Sequence, residues 1–279
     1  MQKIGYYRKS GELFLQNLSL KKLADHYGTP TFVYDSNLIK NSFYMLKKIM
    51  DPLNGKIHFA VKSNDNLGII KYINSLGAGA DVVSIGELKR CLKVLVKPKD
   101  IIFSGVGKQK DEIEFAINKN IKQLNAESIE ELKDIIEISK NIKKKVNVAL
   151  RVNLDINAKT HKKISTGDEN SKFGIIYDDI VHAYKLINDA SFINPYGLAI
   201  HVGSQLFDYD VFFQTFSKIK NLAVELINLG YEVNHLDLGG GFGVDYTMKN
   251  SLNYKSFSKA LNEVFKNKEF QLFIFKNFI

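Results

Sequence analysis

Ile57-His-Phe-Ala-Val61, then Leu67-Gly-Ile-Ile-Lys-Tyr-Ile-Asn-Ser-Leu76, then Ala80-Asp-Val-Val83 decides the fold. The first and third segments are short apolar runs of strand length. The second places apolar side chains at spacings of three and four, the pattern of an amphipathic helix. A strand, a helix and a strand in this order make a βαβ unit, which requires the two strands to lie parallel. Working outward, similar runs recur at Ile101–Ser104, Gln123–Asn125, Val146–Val152, Gly197–Val202 and His235–Leu238. The stretches between them are helical in pattern, as at Ile129–Ile138. Seven such strands exceed the usual open doubly wound sheet and point to an α/β fold of the (β/α)₈ barrel type. After a helical pattern over Ser256–Phe265 comes Phe270–Phe275, strand-like and placed where an eighth strand belongs, and the chain ends at Ile279. The expectation is a barrel incomplete at its eighth strand.

Residues 1–35 differ. Leu13–Leu15 and Thr31–Tyr34 read as short strands. Between them Ser19 is placed to cap a helix over Lys21–Tyr27, which Gly28 and Pro30 terminate. This segment is expected to be the N-terminal strands of a β domain whose remainder is absent, and residues 36–279 the barrel. Of the 279 residues, 45% are hydrophobic and 25% charged, a balance able to bury a core. One cysteine excludes an internal disulfide and a cysteine-based metal site, and no metal is expected. No signal peptide or membrane-length apolar run is found, so the expected setting is soluble and cytoplasmic. The net charge of +9 raises the question of nucleic acid. Only Arg8, Arg90 and Arg151 are arginines among the 39 basic residues, and the lysines are scattered, which fits a solvated surface rather than a nucleic-acid interface.

In a parallel barrel, chemistry sits at the carboxyl ends of the strands. The first run ends in Val61-Lys62-Ser63. A lysine at a strand end can be desolvated, which favours the neutral, nucleophilic amine, although many such lysines are only solvated termini. The sixth ends in His201-Val-Gly-Ser-Gln205, an imidazole beside a glycine turn and a hydroxyl; a histidine satisfied within the core is the plainer reading. The seventh ends in Asp237-Leu-Gly-Gly-Gly-Phe-Gly243, where consecutive glycines let backbone N–H groups approach an anion. Its spacing does not match a dinucleotide fingerprint, and Gly105-Val-Gly-Lys108 fails the phosphate-loop spacing. A long polar stretch after Arg151-Val-Asn153 includes Thr160–Gly167 and Lys172–Ile175 on the face where substrates bind.

Taken in order, Phe59–Asn64, Gly79–Leu88, Asn125–Leu132, Arg151–Asn153, Thr160–Gly167, Lys172–Ile175, His201–Gln205 and Leu238–Gly243 resemble the fold-type III pyridoxal-phosphate decarboxylases. Within that family, Thr160-His-Lys-Lys-Ile-Ser-Thr-Gly167 and the glutamine at Gln205 resemble the diaminopimelate decarboxylase branch. The resemblance implies pyridoxal 5′-phosphate as cofactor and decarboxylation of meso-2,6-diaminopimelate to L-lysine. It implies Lys62 as the amine that bonds the cofactor, Asp81 beside it and His201 stacked on the pyridine ring. Ser204, Gly239, Gly240 and Gly241 would hold the phosphate, with Asn125, Glu127 and Arg151 in the surrounding pocket. A homodimer is implied as well. The chain departs from the family after its last strand: Phe275-Lys-Asn-Phe-Ile279 stands where the family has Glu-Pro-Gly-Arg. The expectation is therefore a truncated enzyme of reduced activity. A non-catalytic cofactor-binding protein and another decarboxylase or racemase of the same fold type are the alternatives.

Overall fold

The computed structural model describes residues 5–154, 156, 173–201, 203–243, 254–266 and 270–276, with residues 271–276 as backbone alone. The expected site segments Thr160–Gly167 and Lys172 lie outside the described residues. The chain divides into two compact units, one up to Met45 and one from Leu46 onward.

In the first unit, β1 (Tyr6–Lys9), β2 (Glu12–Leu15) and β3 (Leu18–Ser19) form a small antiparallel sheet. Lys9 pairs with Glu12 across the two-residue turn Ser10-Gly11, where both residues have positive φ, 50° and 81°. Such turns match the right-handed twist of a hairpin. Ser19 caps α1 (Leu20–Tyr27) by accepting from the Lys22 N–H at 3.3 Å, and Gly28 ends it. The strand expected at Thr31–Tyr34 does not form. That segment is unpaired chain, and Val33 uses its carbonyl to accept the Tyr6 hydroxyl at 3.0 Å. The ladder partner of β2 is Tyr6–Lys9 instead, a polar stretch with little strand signature. Helix α2 (Ser36–Met50) follows.

The second unit alternates strand and helix. In order come β4 (Lys56–Ala60), α3 (Leu67–Ser75), β5 (Gly79–Val82), α4 (Ile85–Lys93), β6 (Ile101–Phe103), α5 (Lys110–Asn118), β7 (Gln123–Ala126), α6 (Ile129–Ile142) and β8 (Val146–Asn153). A short β9 (Ile175–Ile176) precedes α7 (Ile180–Asn188), β10 (Ile193–Ala199), α8 (Tyr209–Asn228), β11 (His235–Asp237), α9 (Tyr254–Val264) and β12 (Gln271–Lys276). Parallel pairing runs β4–β5–β6–β7–β8–β10–β11–β12 and returns to β4. The strand at the eighth position, β12, pairs Gln271–Phe273 with β11 and Phe273–Lys276 with β4.

The strands β6 and β7 are buried along their whole length, as expected of parallel strands covered on both faces. The helices turn one stripe inward: Leu132, Ile135 and Ile138 on α6, and Phe212, Phe216, Ile219, Leu222 and Leu226 on α8. Ser84 and Ser128 cap α4 and α6, accepting from the N–H groups of Glu87 at 3.2 Å and Glu131 at 3.1 Å.

The sixth ring strand begins four residues earlier than the apolar run at Gly197 indicates. Asn194-Pro195 looks like a turn in sequence, yet the strand absorbs it with an irregularity between Pro195 and Gly197. Gly197 is required there, because a Cβ would stand 1.9 Å from the His235 carbonyl oxygen on the neighbouring strand.

Candidate active site

The expected residues lie at or just beyond the carboxyl ends of six ring strands. Lys62 sits in a single 3₁₀ turn, Val61–Ser63, directly after β4. The turn is pinned by the Ser63 hydroxyl donating to the Ala60 carbonyl at 2.7 Å. Lys62 is exposed rather than desolvated, because the strand ends at Ala60 and the turn lifts the side chain out of the apolar run. Asp81 comes from β5, Asn125 from β7, Glu127 from the residue after β7, Arg151 from β8 and His201 from beyond β10.

The charges act on one another. Burial raises the Asp81 carboxyl from 3.8 to about 7, against the opposing pull of the Ser104 hydrogen bond and the Lys62 ammonium. His201 is pushed down to about 3, first by burial and then by the Arg151 and Lys62 cations, so its ring is neutral at physiological pH. Lys62 therefore acts electrostatically on both the second-strand carboxyl and the sixth-strand imidazole. Arg151 donates to Glu127 Oε2 at 2.7 Å, and its guanidinium lies 5.6 Å from the Phe173 ring centroid. The Glu127 carboxyl is nonetheless raised, because burial outweighs the Arg151 and Lys108 cations.

The loops after β10 and β11 are joined by main-chain bonds. The Leu206 N–H donates to the Gly241 carbonyl at 2.8 Å and the Gly243 N–H to the Leu206 carbonyl at 3.0 Å. Ser204 and Gly239–Gly241 are thereby brought into one double loop. Gly241 has φ +82°, and a Cβ there would stand 1.9 Å from the Gly203 carbonyl oxygen. Two backbones run in direct contact, which only glycine allows. Phe242 anchors the loop on the helices, its ring 4.7 Å from Phe257 of α9 and edge-on to it.

Sequence reasoning missed a second set of residues just below this surface. Lys108 is buried, donates to the Asn125 carbonyl at 2.7 Å and pairs with Glu131 Oε1 at 2.6 Å. Asp237 accepts from the Gly239 N–H at 2.9 Å and from Asn125 Nδ2 at 3.0 Å. Ser104 accepts from Asn125 Nδ2 at 3.0 Å, and Gln123 donates to Asn125 Oδ1 at 2.5 Å. Lys108 carried a signal of its own, as a lysine following Gly-Val-Gly, but that signal suggests phosphate and not a buried ion pair.

Two buried oxygens, Asp81 Oδ1 and Glu127 Oε1, have no hydrogen-bond partner among the described residues. They belong to the carboxyls on which Lys62 and Arg151 act. Orphan acceptors, an accessible amine, a neutral imidazole and a glycine-rich double loop form a donor and acceptor set that fits a phosphorylated pyridine aldehyde.

A closed ring of parallel strands alternating with helices, with a lysine, a raised carboxyl and a glycine loop at its carboxyl mouth, places the chain in the class of (β/α)₈ barrels that present a site on that face. The pyridoxal-dependent decarboxylase, pyridoxal binding domain family matches residues 36–274. The chain belongs to that family. It is 38% identical to a Helicobacter pylori (strain J99) diaminopimelate decarboxylase over 241 residues, 86% of this chain and 60% of that protein. A Neisseria meningitidis serogroup B diaminopimelate decarboxylase is 37% identical over 262 residues, 94% of this chain and 63% of the relative. The crystal structure of a diaminopimelate decarboxylase from M. jannaschii in co-complex with L-lysine matches with a TM-score of 0.90 and 33% identity. That match covers 98% of this chain and 66% of the other. The chain thus spans 60 to 66% of the length of these relatives. Among the described residues, no helix is long and apolar enough to cross a membrane.

Proposed function

We propose that the barrel holds pyridoxal 5′-phosphate at Lys62 and serves the decarboxylation of meso-2,6-diaminopimelate to L-lysine. The observation that carries this reading is the placement of Lys62, Asp81 and His201 at the carboxyl ends of three different strands of one closed ring, with the Asp81 Oδ1 buried and without a hydrogen-bond partner among the described residues. The naming of the relatives as diaminopimelate decarboxylases, one of them bound to L-lysine, supports the choice of substrate.

When bound, the cofactor supplies a pyridine ring that accepts the electron pair left behind as the substrate carboxylate departs as carbon dioxide. The residues of the chain have separate tasks. Lys62 Nζ is the amine available for covalent attachment. Asp81, with a pKa about 7, can hold or release a proton at Oδ1 next to that amine at neutral pH. The neutral His201 ring can pack flat against another ring without charge repulsion. Arg151, fixed by Glu127 at 2.7 Å, is a pre-oriented cation for a carboxylate or ring oxygen. Ser204, Gly240 and Gly241 offer hydroxyl and main-chain donors to a phosphate, in a turn whose Gly239 N–H is already held by Asp237. Holding the two ends of a small molecule fixes its orientation. The reading includes a cytoplasmic location.

The test begins with the chain purified in the presence of pyridoxal phosphate. A visible absorption band, fixed by borohydride as an adduct mapped to Lys62 and lost in Lys62→Ala, is expected. Release of carbon dioxide from meso-diaminopimelate then establishes the reaction. Folded protein showing no band overturns the cofactor and the activity together; a band without carbon dioxide overturns the activity.

A further inference from the structure

Below the mouth, a chain of buried hydrogen bonds crosses the barrel. Asp237, at the end of β11 and 1% exposed, accepts from the Gly239 N–H through Oδ1 at 2.9 Å. Its Oδ2 accepts from Asn125 Nδ2 at 3.0 Å, a contact between strands far apart in the ring. Asn125 is itself 1% exposed and fully committed. Its Nδ2 donates to both Asp237 and Ser104, and its Oδ1 accepts from Gln123. Ser104, having accepted from Asn125, keeps its hydroxyl hydrogen, and its side chain acts to lower the Asp81 carboxyl against the effect of burial. Asp237 accepts from both sides, and the Asn125 amide is oriented by its donors to Asp237 and Ser104 and by the Gln123 donor at its oxygen, so turning it over would break these bonds. One end of the chain is the glycine turn and the other is Ser104, just past the end of β6.

We infer that Asp237 is a positioning residue that holds the Gly239–Gly241 turn in shape to receive a phosphate and ties that turn across the barrel to Asn125 and Ser104. The turn needs such a holder. Gly239 has φ +69°, where a Cβ would stand 2.2 Å from the Ile200 carbonyl oxygen, so its conformation has no side chain of its own to stabilise it. The Asp237 carboxyl supplies the constraint two residues upstream, as aspartates do at turns. Burial pushes this carboxyl well above its ordinary range and the Asp81 carboxyl pushes it the same way, while the Gly239 and Asn125 donors oppose them.

The inference rests on the reading of Gly239–Gly241 as a phosphate seat, and its test separates the two. Dissociation constants are measured for pyridoxal phosphate and for pyridoxal, which lacks the phosphate, with the unsubstituted chain and with Asp237→Asn. The asparagine keeps the shape but sets a donor against either Gly239 N–H or Asn125 Nδ2. Affinity for pyridoxal phosphate is expected to fall about 20-fold, the scale of a hydrogen bond to a charged group, with that for pyridoxal changed less than about twofold. General damage to the fold would weaken both ligands alike, and that result overturns the inference. Equal preference for pyridoxal phosphate in the two proteins overturns it as well. An unsubstituted chain that does not prefer pyridoxal phosphate over pyridoxal refutes the phosphate seat, and the inference with it. If Asp237→Asn fails to fold, Asn125→Ala takes its place. It removes the donor to Oδ2, together with the contacts to Ser104 and Gln123, leaves the Gly239 bond to Oδ1 in place, and is expected to cost about fivefold in the same preference.

Discussion

Replacing Lys108 by methionine is the most direct test of how the floor of the site is held. The Lys108 side chain is 1% exposed and that of Glu131 8%, with Nζ and Oε1 2.6 Å apart. The same ammonium donates to the Asn125 carbonyl at 2.7 Å and stands 5.5 Å from the Phe103 ring centroid. Methionine fills nearly the same volume, so little of the effect comes from a cavity. What remains is a buried Glu131 carboxylate without its cation and an Asn125 carbonyl without a donor. Removing one partner of a buried pair costs about 3–5 kcal/mol. At about 2 °C per kcal/mol for a chain of this size, Tm falls by about 6–10 °C. The Glu127 N–H at 3.3 Å is too weak a donor to replace the ammonium. Paired replacement, Lys108→Met with Glu131→Gln, leaves no unpaired charge and should recover at least half of the loss, because the desolvation of both ions is relieved together. The assay is urea denaturation followed by circular dichroism, with the midpoint read at unchanged slope. A single substitution costing less than about 1 kcal/mol refutes the reasoning, as does a double variant no more stable than the single.

Three histidines, His58 buried and His201 and His235 half-buried, give a pH signature in the ligand-free chain. His58 and His201 are lowered to about 3 and His235 to about 4, in each case chiefly by burial, so the unfolded chain takes up protons from about pH 6.5 while the fold refuses them. Stability is expected to drop as pH falls from 6.5 toward 4, and the three imidazole proton resonances should stay flat from pH 8 to 5; a midpoint near 6.5 in any of them contradicts this. Asp81 works in the opposite sense. Its folded pKa of about 7 exceeds 3.8, so its contribution is full below 3.8 and is lost as pH rises through 7. Asp81→Asn should therefore raise the urea midpoint more at pH 8 than at pH 5, and equal gains at both would count against a raised carboxyl.

The strands that the sequence shows best are those whose two faces are both buried. Ile101–Phe103 is buried along its whole length and reads as an unbroken apolar run with sharp ends, while Gln123–Ala126, equally buried, carries a Gln and an Asn that bond to each other. Ile193–Pro195 was hidden because Asn-Pro is a turn signal in isolation; pairing with β8, and the irregularity that accommodates the proline, override it. The hairpin strand Tyr6–Lys9 was hidden for the opposite reason, being largely exposed and polar. Lys62, His201 and the glycine turn were legible as strand-end residues, because the apolar runs show where each strand stops. Their neighbours Ser104, Gln123 and Asp237 were not, since each looks like the end of a core strand until the ring brings it opposite a partner.

By itself the sequence determined the order of strands and helices, the helix cap at Ser19, and the residues that arrive at the carboxyl mouth. These depend on side-chain period and on neighbours a few positions away, which the chain carries locally. Only the tertiary structure decided what those residues feel. The contact of Asn125 with Asp237 joins positions 112 apart in the chain. The raised carboxyl of Asp81 and the neutral ring of His201 come from burial and from cations delivered by other strands. Both effects are sums over charges and solvent exclusion in space, and they exist only once β12 pairs with β4 and β11 and the ring encloses its interior.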